Sequence, residues 1–253
     1  MRDVELYREI LGLTAPWMVA SVDLDVKGQQ VVVHVAAGPG PFPCPECGTP
    51  AARYDSKPRR WRHLDTCQFM TWIQADVPRV DCTAHGVKQI RIPWAEPGSQ
   101  FTGLFERLAI DLLRECSVTG AARLLRITWD EAWGIKGRAV KRGLARRQQA
   151  VVAHLGADEK AIAKRHRYLT VVADLDQGRV LYLADDRKQE IRRHLPNLLT
   201  YLRHRVTNAG LEAVNAVIQW VKKPARGFRN PEHFKIAIYF HCGGLDLYPH
   251  GSW

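Results

Sequence analysis

The sequence lacks the long apolar segments of membrane proteins. No run approaches the roughly 20 apolar residues that cross a bilayer as a helix. Residues 1–7 lack the apolar stretch of a signal peptide, so we expect a cytoplasmic protein. Internal repeats, coiled-coil heptads and low-complexity tails are also missing. With 253 residues, 46% hydrophobic and 25% charged, the chain is long enough for two or three small folded domains.

The use of cysteine indicates metal binding rather than disulfide bonding. Without an export signal, the six cysteines are expected in a reducing compartment, where disulfides are rare. Cys67, Cys116 and Cys242 have no ligand-type partner at short spacing. We expect these three to be small buried hydrophobic side chains.

Acidic residues are too few to balance the basic ones. There are 37 Lys and Arg against 26 Asp and Glu, which gives a net charge of +11 and a pI of about 9.6. A balance this basic favours a polyanionic partner, and nucleic acid is the expected one. One cluster contains no acid: Lys136, Arg138, Lys141, Arg142, Arg146 and Arg147. A second runs from 192 to 235, with Glu212 and Glu232 as its only acids. The alternative is a merely solvated basic face.

Two short motifs together predict one metal site. Cys44-Pro-Glu-Cys47 and Cys82-Thr-Ala-His85 each place two ligand residues around a two-residue spacer. Three thiolates and one imidazole suit a closed, structural zinc ion. Gly48 and Gly86 follow the second ligand of each motif, where the backbone must bend sharply. A lone Cys-x-x-Cys could instead be a redox pair, but the matched Cys-x-x-His favours Zn²⁺.

The N-terminal part of the sequence has the alternation of β-strands. Residues 17–36 predict a hairpin with its turn at Lys27-Gly28. Residues 40–95 predict a small β-rich zinc module, which we expect to draw its folding energy largely from the metal. We therefore place a first domain, a hairpin plus zinc-binding module, at residues 1–96.

Residues 97–150 change to helical spacing and predict a helix-turn-helix. A short helix after Ser117 is followed by a tight link at Arg126-Ile127. Thr128 and Glu131 have the spacing of a capping box at the start of the next helix. Its basic residues favour DNA over a purely structural helical pair. The residues expected to contact DNA are Trp129, Lys136, Arg138, Lys141 and Arg142.

The C-terminal part, residues 151–253, returns to strands and then helices. Residues 151–158 predict a strand that ends on Asp158, and a hairpin with its turn at 176–178 follows. Helices are expected at 195–202 and 211–221.

Many of these motifs resemble those of the DDE-type transposases of bacterial insertion sequences, L-three family. The resemblance covers nearly the whole chain in the family's order. Its stretches are Cys44–Gly48, Trp61–Asp65, Val77–Cys82 with His85-Gly86, Ile92–Ala95, Ser117–Ile135, Gly156–Lys160, His166–Val172, Thr207–Asn215, Ala225–Asn230 and His241–Leu247.

The resemblance implies an α+β multidomain protein: a β-rich zinc module, a helix-turn-helix and a partial ribonuclease-H-like α/β catalytic domain. In such enzymes three carboxylates hold two divalent cations, typically Mg²⁺, that cut and rejoin DNA. Asp158 matches the first acid and Glu212 the last. Without the resemblance, Asp158 would be a strand-end turn residue and Glu212 an exposed helix residue. The implied partner is double-stranded DNA of the element's terminal repeats, with a homo-oligomer left open.

One departure from the family pattern bears on activity. The family's second Asp ends a later strand, which a long helical insertion follows. In this sequence Glu190 is followed directly by a basic stretch that already resembles the approach to the final acid. We therefore expect an internally deleted transposase without strand-transfer activity. The alternatives are a non-catalytic DNA-binding protein that competes with the full-length enzyme, and an unrelated zinc-ribbon interaction protein.

Overall fold

A computed structural model describes residues 3–148, 152–163, 167–184, 209–223, 228 and 230–249. The chain divides into two compact units, one of residues 1–108 with 249–253, the other of residues 109–248. This division puts the helix-turn-helix region and the C-terminal region in the same unit. The predicted helix at 195–202 lies outside the described residues, as does much of the second basic cluster.

The first unit is built on one mixed β-sheet. Its elements are α1 (Asp3–Ile10), β1 (Trp17–Asp25), β2 (Gln30–Ala37), β3 (Phe42–Pro43), β4 (Pro50–Ala51), β5 (Arg53–Arg62), β6 (Met70–Cys82) and β7 (Gly86–Gln89). The sheet order is β1-β2-β6-β5, and β7 pairs with the far end of β6. The predicted hairpin is β1–β2. Its second strand pairs in parallel with β6, and the other pairings of the sheet are antiparallel.

The core of the first unit joins the hairpin to the zinc-bearing strands. Trp94 meets Trp17 and Trp61 edge to face, with ring centroids 4.8 and 5.4 Å apart. Val33 and Ile73 are fully buried in the same cluster. The zinc-bearing strands thus share a core with the hairpin, which was not predicted, and the expectation that the module draws its folding energy largely from the metal stays a prediction. The parallel pairing of β2 with β6 was not evident from the sequence, and it gives these strands a shared apolar core.

The second unit combines helices with a small antiparallel sheet. The helix α2 (Gly103–Glu115) spans the division between the units. It is followed by α3 (Val118–Leu125), α4 (Trp129–Arg146), β8 (Leu155–Ala163), β9 (Arg167–Asp174), β10 (Arg179–Ala184), α5 (Ala209–Lys222) and α6 (Pro231–Cys242). The sheet order is β10-β9-β8. Leu169 and Val180 of the sheet pack with Ile218 of α5 and Ile238 of α6 in one buried cluster.

Two local predictions, one for a strand end and one for the free cysteines, need correction. The strand β8 does not end on Asp158; it begins at Leu155 and runs on to Ala163, because β9 pairs along this whole length. Cys242 is buried as predicted, but Cys67 is exposed in a turn with φ of 49° and Cys116 is only partly buried. The helix α1 was not predicted.

Among the described helices, none combines the length and apolar character that crossing a membrane requires.

Candidate zinc centre and nucleic-acid interface

Two backbone knuckles carry the predicted zinc ligands. In the first, the Cys44 N–H donates to the Thr49 carbonyl and the Gly48 N–H donates to the Cys44 carbonyl, both at 2.9 Å. In the second, the His85 N–H donates to the Cys82 carbonyl at 3.2 Å. The glycines after the second ligands, Gly48 and Gly86, have φ of 75° and 64°. Both bends therefore use the left-handed region that favours glycine, as predicted.

The four side chains converge with the spacing of a tetrahedral site. The ligand atoms of Cys44, Cys47, Cys82 and His85 all lie within 4.8 Å of one another. The Cys47 and Cys82 sulfurs are 3.7 Å apart, and His85 Nδ1 lies 3.6 Å from the Cys82 sulfur. A tetrahedral zinc with Zn–S bonds of about 2.3 Å separates its sulfurs by about 3.8 Å. The donor set and its spacing thus fit Zn²⁺.

Neighbouring groups favour the ligand form and tie the knuckles together. Hydrogen bonds between the Cys47 sulfur and the side chain and backbone of Thr49 lower the pKa of this thiol to about 6. A lowered pKa favours the thiolate, which is the form that binds metal. Arg91, beyond β7, donates to the Pro45 carbonyl at 2.8 Å, and Lys88 pairs with Glu46 at 3.6 Å. These two contacts connect the first knuckle to the chain that follows the second, and they do so without involving the four ligand side chains.

The helix-turn-helix is formed by α3 and α4. The Ser117 hydroxyl accepts from the Gly120 N–H at 3.1 Å and caps α3. The turn passes through Arg126 in the left-handed conformation, with φ of 56°. Thr128 and Glu131 then make both bonds of a capping box: the Thr128 hydroxyl accepts from the Glu131 N–H, and the Glu131 carboxylate accepts from the Thr128 N–H. This confirms the predicted start of the second helix.

The predicted DNA-contacting residues are divided between surface and interior. Trp129 and Lys141 are exposed, and Arg138 is partly exposed. Lys136 is only 4% exposed, and its Nζ lies 3.1 Å from His241 Nε2. Burial lowers the pKa of Lys136 to about 8. Arg142 is 9% exposed and donates to the Leu247 carbonyl. Because these two side chains do not face solvent, neither offers its charge to a phosphate on the surface of the helix, and their contact with DNA stays a prediction.

Two exposed basic residues near the turn were missed. Arg123 of α3 and Arg126 in the turn lie on the surface beside the start of α4. Both belong to the short stretch Arg123-Leu-Leu-Arg126 directly before the second helix, and this was the available signal. Helix-turn-helix proteins contact DNA near the start of the second helix, so Arg123 and Arg126 are better placed there than Lys136 or Arg142.

The predicted acids lie on neighbouring elements. Asp158 Oδ2 accepts from Asn215 Nδ2 of α5 and from Lys160 Nζ, both at 2.8 Å. Partial burial raises the pKa of Asp158, but bonds from Lys160, the Glu159 N–H and Asn215 outweigh it and leave the pKa below its usual value. Glu212 is exposed in the first turn of α5, three residues before Asn215. Asp158 and the helix that carries Glu212 are therefore in direct contact.

Three family models match the chain. The zinc-finger model of transposases IS204/IS1001/IS1096/IS1165 matches residues 40–85. The helix-turn-helix model of transposase family ISL3 matches residues 90–135. The DDE transposase model of the same family matches residues 189–238.

Curated relatives carry the same descriptions. The transposase for insertion sequence element IS1557 of Mycobacterium tuberculosis is 31% identical over 192 residues, which cover 73% of this chain and 43% of the relative. The transposase for element IS1001 of Bordetella parapertussis is 24% identical over 152 residues, or 59% of this chain and 37% of the relative. The chain thus matches less than half the length of each of these relatives. No solved structure matches it.

Proposed function

From the premise that this chain carries the zinc-ribbon, helix-turn-helix and DDE domains of ISL3-family transposases, the last in part, we propose that it binds the ends of an insertion sequence. The observation that carries the proposal is the capped helix-turn-helix with exposed Arg123, Arg126 and Lys141 around it. The bound molecule is double-stranded DNA of the terminal repeats, and the protein acts in the bacterial cytoplasm, where that DNA lies.

Contacts of Arg123, Arg126 and Lys141 with DNA phosphates supply affinity. The exposed start of α4 recognises the base sequence. Each Lys or Arg that neutralises a phosphate releases condensed counterions, so affinity falls as salt rises. Trp129 stands at the first position of the helix, where helix-turn-helix proteins contact base edges. Arg138 and Lys141 lie further along the same helix and suit the flanking backbone.

The role of zinc is structural. Its proposed ligands are Cys44, Cys47, Cys82 and His85, a closed set that leaves no position open for substrate. An ion bound there would join the loop after β3 to the end of β6 and to the turn before β7.

A ribonuclease-H-like catalytic domain is proposed for the C-terminal region. The antiparallel order β10-β9-β8, with Asp158 on β8 and α5 packed beside it, supports this fold. The carboxylates of Asp158 and Glu212 suit Mg²⁺, which prefers oxygen ligands and in such enzymes activates the attacking oxygen and stabilises the leaving one.

The acidic residues available in the C-terminal region are too few for a two-metal centre. In the described part of the chain, the zinc cluster is the only group of three or more His, Cys, Asp or Glu side chains that could hold a metal. In the sequence, Glu190 is the last acid before Glu212, so 191–211 offers no acid in place of the family's second Asp. We therefore propose that the protein lacks strand-transfer activity and acts as a non-catalytic DNA-binding protein, a competitor of full-length transposase.

The test pairs a gel shift with a nicking assay on one DNA fragment that carries the element's end. We expect binding that weakens from low to high salt, with no Mg²⁺-dependent nicking. A double Arg123→Gln, Lys141→Gln variant should weaken the shift, while Lys27→Gln, an exposed lysine of the N-terminal hairpin, should not. Nicking that disappears in Asp158→Ala would refute the catalytic defect. Absence of any DNA affinity at low salt would instead favour a zinc-ribbon protein of another kind.

A further inference from the structure

The second unit contains a cavity of about 660 Å³ that the proposed function does not use. It lies beside the start of α4, and aromatic rings form much of its wall. Trp129 and Trp133 stack with ring centroids 5.4 Å apart and planes 3° from parallel. His233 of α6 packs on Trp133 at 4.4 Å, and Trp220 of α5 meets His241 edge on at 5.6 Å. The volume suits one small ligand, and these flat surfaces suit a planar one.

Two of these indoles are unusually open to solvent. Trp129 is 42% exposed and Trp220 is 53% exposed, although both line the same cavity. A tryptophan side chain carries a large apolar area whose burial is favourable, so two half-open indoles at one cavity leave ring surface for a ligand.

The polar groups of the cavity favour a neutral ligand over an anion. Five titratable side chains line it: Glu115, Cys116, Lys136, His233 and His241. Lys136 Nζ lies 3.1 Å from His241 Nε2 and 4.5 Å from the centroid of Phe240, so its stem is held in place. An amine with several N–H groups can donate to a carbonyl oxygen as well as to His241. Glu115 and Lys136 bring one charge of each sign to the lining, so an uncharged ring fits it without adding an unbalanced charge.

We infer that this cavity binds an unpaired nucleobase with a keto oxygen, such as thymine, from DNA held at the helix-turn-helix. The base stacks on the indoles, and its keto oxygen accepts a hydrogen bond from Lys136. The inference rests on the proposed DNA binding, because that brings strands to the start of α4. Stacking on aromatic side chains is the general means by which proteins hold unpaired bases.

The experiment compares two single strands of equal charge on the full chain. Fluorescence anisotropy measures the affinity for labelled oligothymidylate of about 12 nucleotides and for an abasic strand of the same length. We expect oligothymidylate to bind roughly tenfold more tightly, because only this strand has bases to stack. Trp220→Ala should remove that difference. Val217→Ala, an exposed apolar residue on the same helix, should preserve it.

A second variant and a duplex control separate the possible failures. Trp129→Ala should also reduce oligothymidylate binding, and thermal melting checks that each variant is folded. Equal affinity for the two strands, or a base preference that survives both tryptophan variants, would overturn the inference. If the wild-type chain gives no gel shift with the duplex, the proposed function is refuted. If it binds the duplex but does not prefer oligothymidylate to the abasic strand, only the cavity's role is refuted.

Discussion

The side-chain amide of Asn215 donates a 2.8 Å hydrogen bond to the Asp158 carboxylate and so joins α5 to β8. Glu212 precedes Asn215 by three residues on the same helix, where residues are near neighbours along one face. The helix that carries Glu212 is thus joined to the strand that carries Asp158 by a polar contact that the sequence motifs did not predict.

The contacts of Asp158 predict an acid-dependent loss of stability. Its pKa is lowered in the folded protein, so its ionised form stabilises the fold above the unfolded pKa of about 3.9, and this contribution is lost as pH falls through the folded pKa. The carboxylate is partly exposed, and solvent screening limits the effect to less than about 1 kcal/mol. Thermal melting of wild type and Asp158→Asn should differ near pH 7 and converge near pH 3. A constant difference would contradict the ionic origin.

Zinc removal should loosen the first unit without unfolding it. Cys47→Ser removes one thiolate ligand, while the apolar core around Trp61 and Val33 persists. We expect the variant to lose its zinc and to melt roughly 10 °C lower, corresponding to a few kcal/mol. The matched control is Cys67→Ser, because Cys67 is exposed and lies outside the metal cluster. Metal analysis should give one zinc per chain in wild type and the control. Complete unfolding of Cys47→Ser would contradict this prediction and show that the first unit does not fold without the ion.

The capping box of α4 should have a measurable energetic role. Thr128→Ala removes the hydroxyl that accepts from the Glu131 N–H, and such caps contribute about 1 kcal/mol. We expect lower stability and weaker DNA binding, because the start of α4 frays where it would meet the groove. Thr119→Ala, an exposed change within α3, should be neutral or slightly stabilising, since alanine is the better helix former. Equal effects of the two changes in denaturant titration would contradict a special role for the cap.

The salt dependence of DNA binding should report individual phosphate contacts. Arg123→Gln and Lys141→Gln should each reduce the slope of log affinity against log salt by about one. Lys27→Gln should leave the slope unchanged. The measurement is a series of binding titrations across salt concentrations on one duplex. An unchanged slope in both variants would place the phosphate contacts elsewhere on the protein.

Features that depend on neighbouring residues could be predicted from the sequence, whereas features that depend on contacts between distant segments could not. The ligand spacings of Cys44–Cys47 and Cys82–His85, and the capping pair Thr128 and Glu131, were readable because each depends on a few adjacent residues. The parallel pairing of β2 with β6 could not be predicted, because the alternation of apolar and polar residues along these two strands is the same whichever strand they pair with. The burial of Lys136 was missed for a related reason: a basic helix face looks solvated until a distant helix, here α6, packs against it.

Burial of Lys136 gives a last prediction with a defined pH window. Desolvation lowers its pKa from 10.5 to about 8, so the folded protein gives up this proton at a lower pH than the unfolded chain does. Because the unfolded state binds more protons between these two pKa values, stability rises as pH increases from about 8 to 10.5. The gain attributable to this side chain is at most about 3 kcal/mol. Lys136→Met should lack this rise, whereas Lys141→Met, an exposed change on the same helix, should retain it. Denaturant titrations at pH 7 and pH 10 measure the difference, and parallel pH profiles for wild type and Lys136→Met would contradict a buried amine.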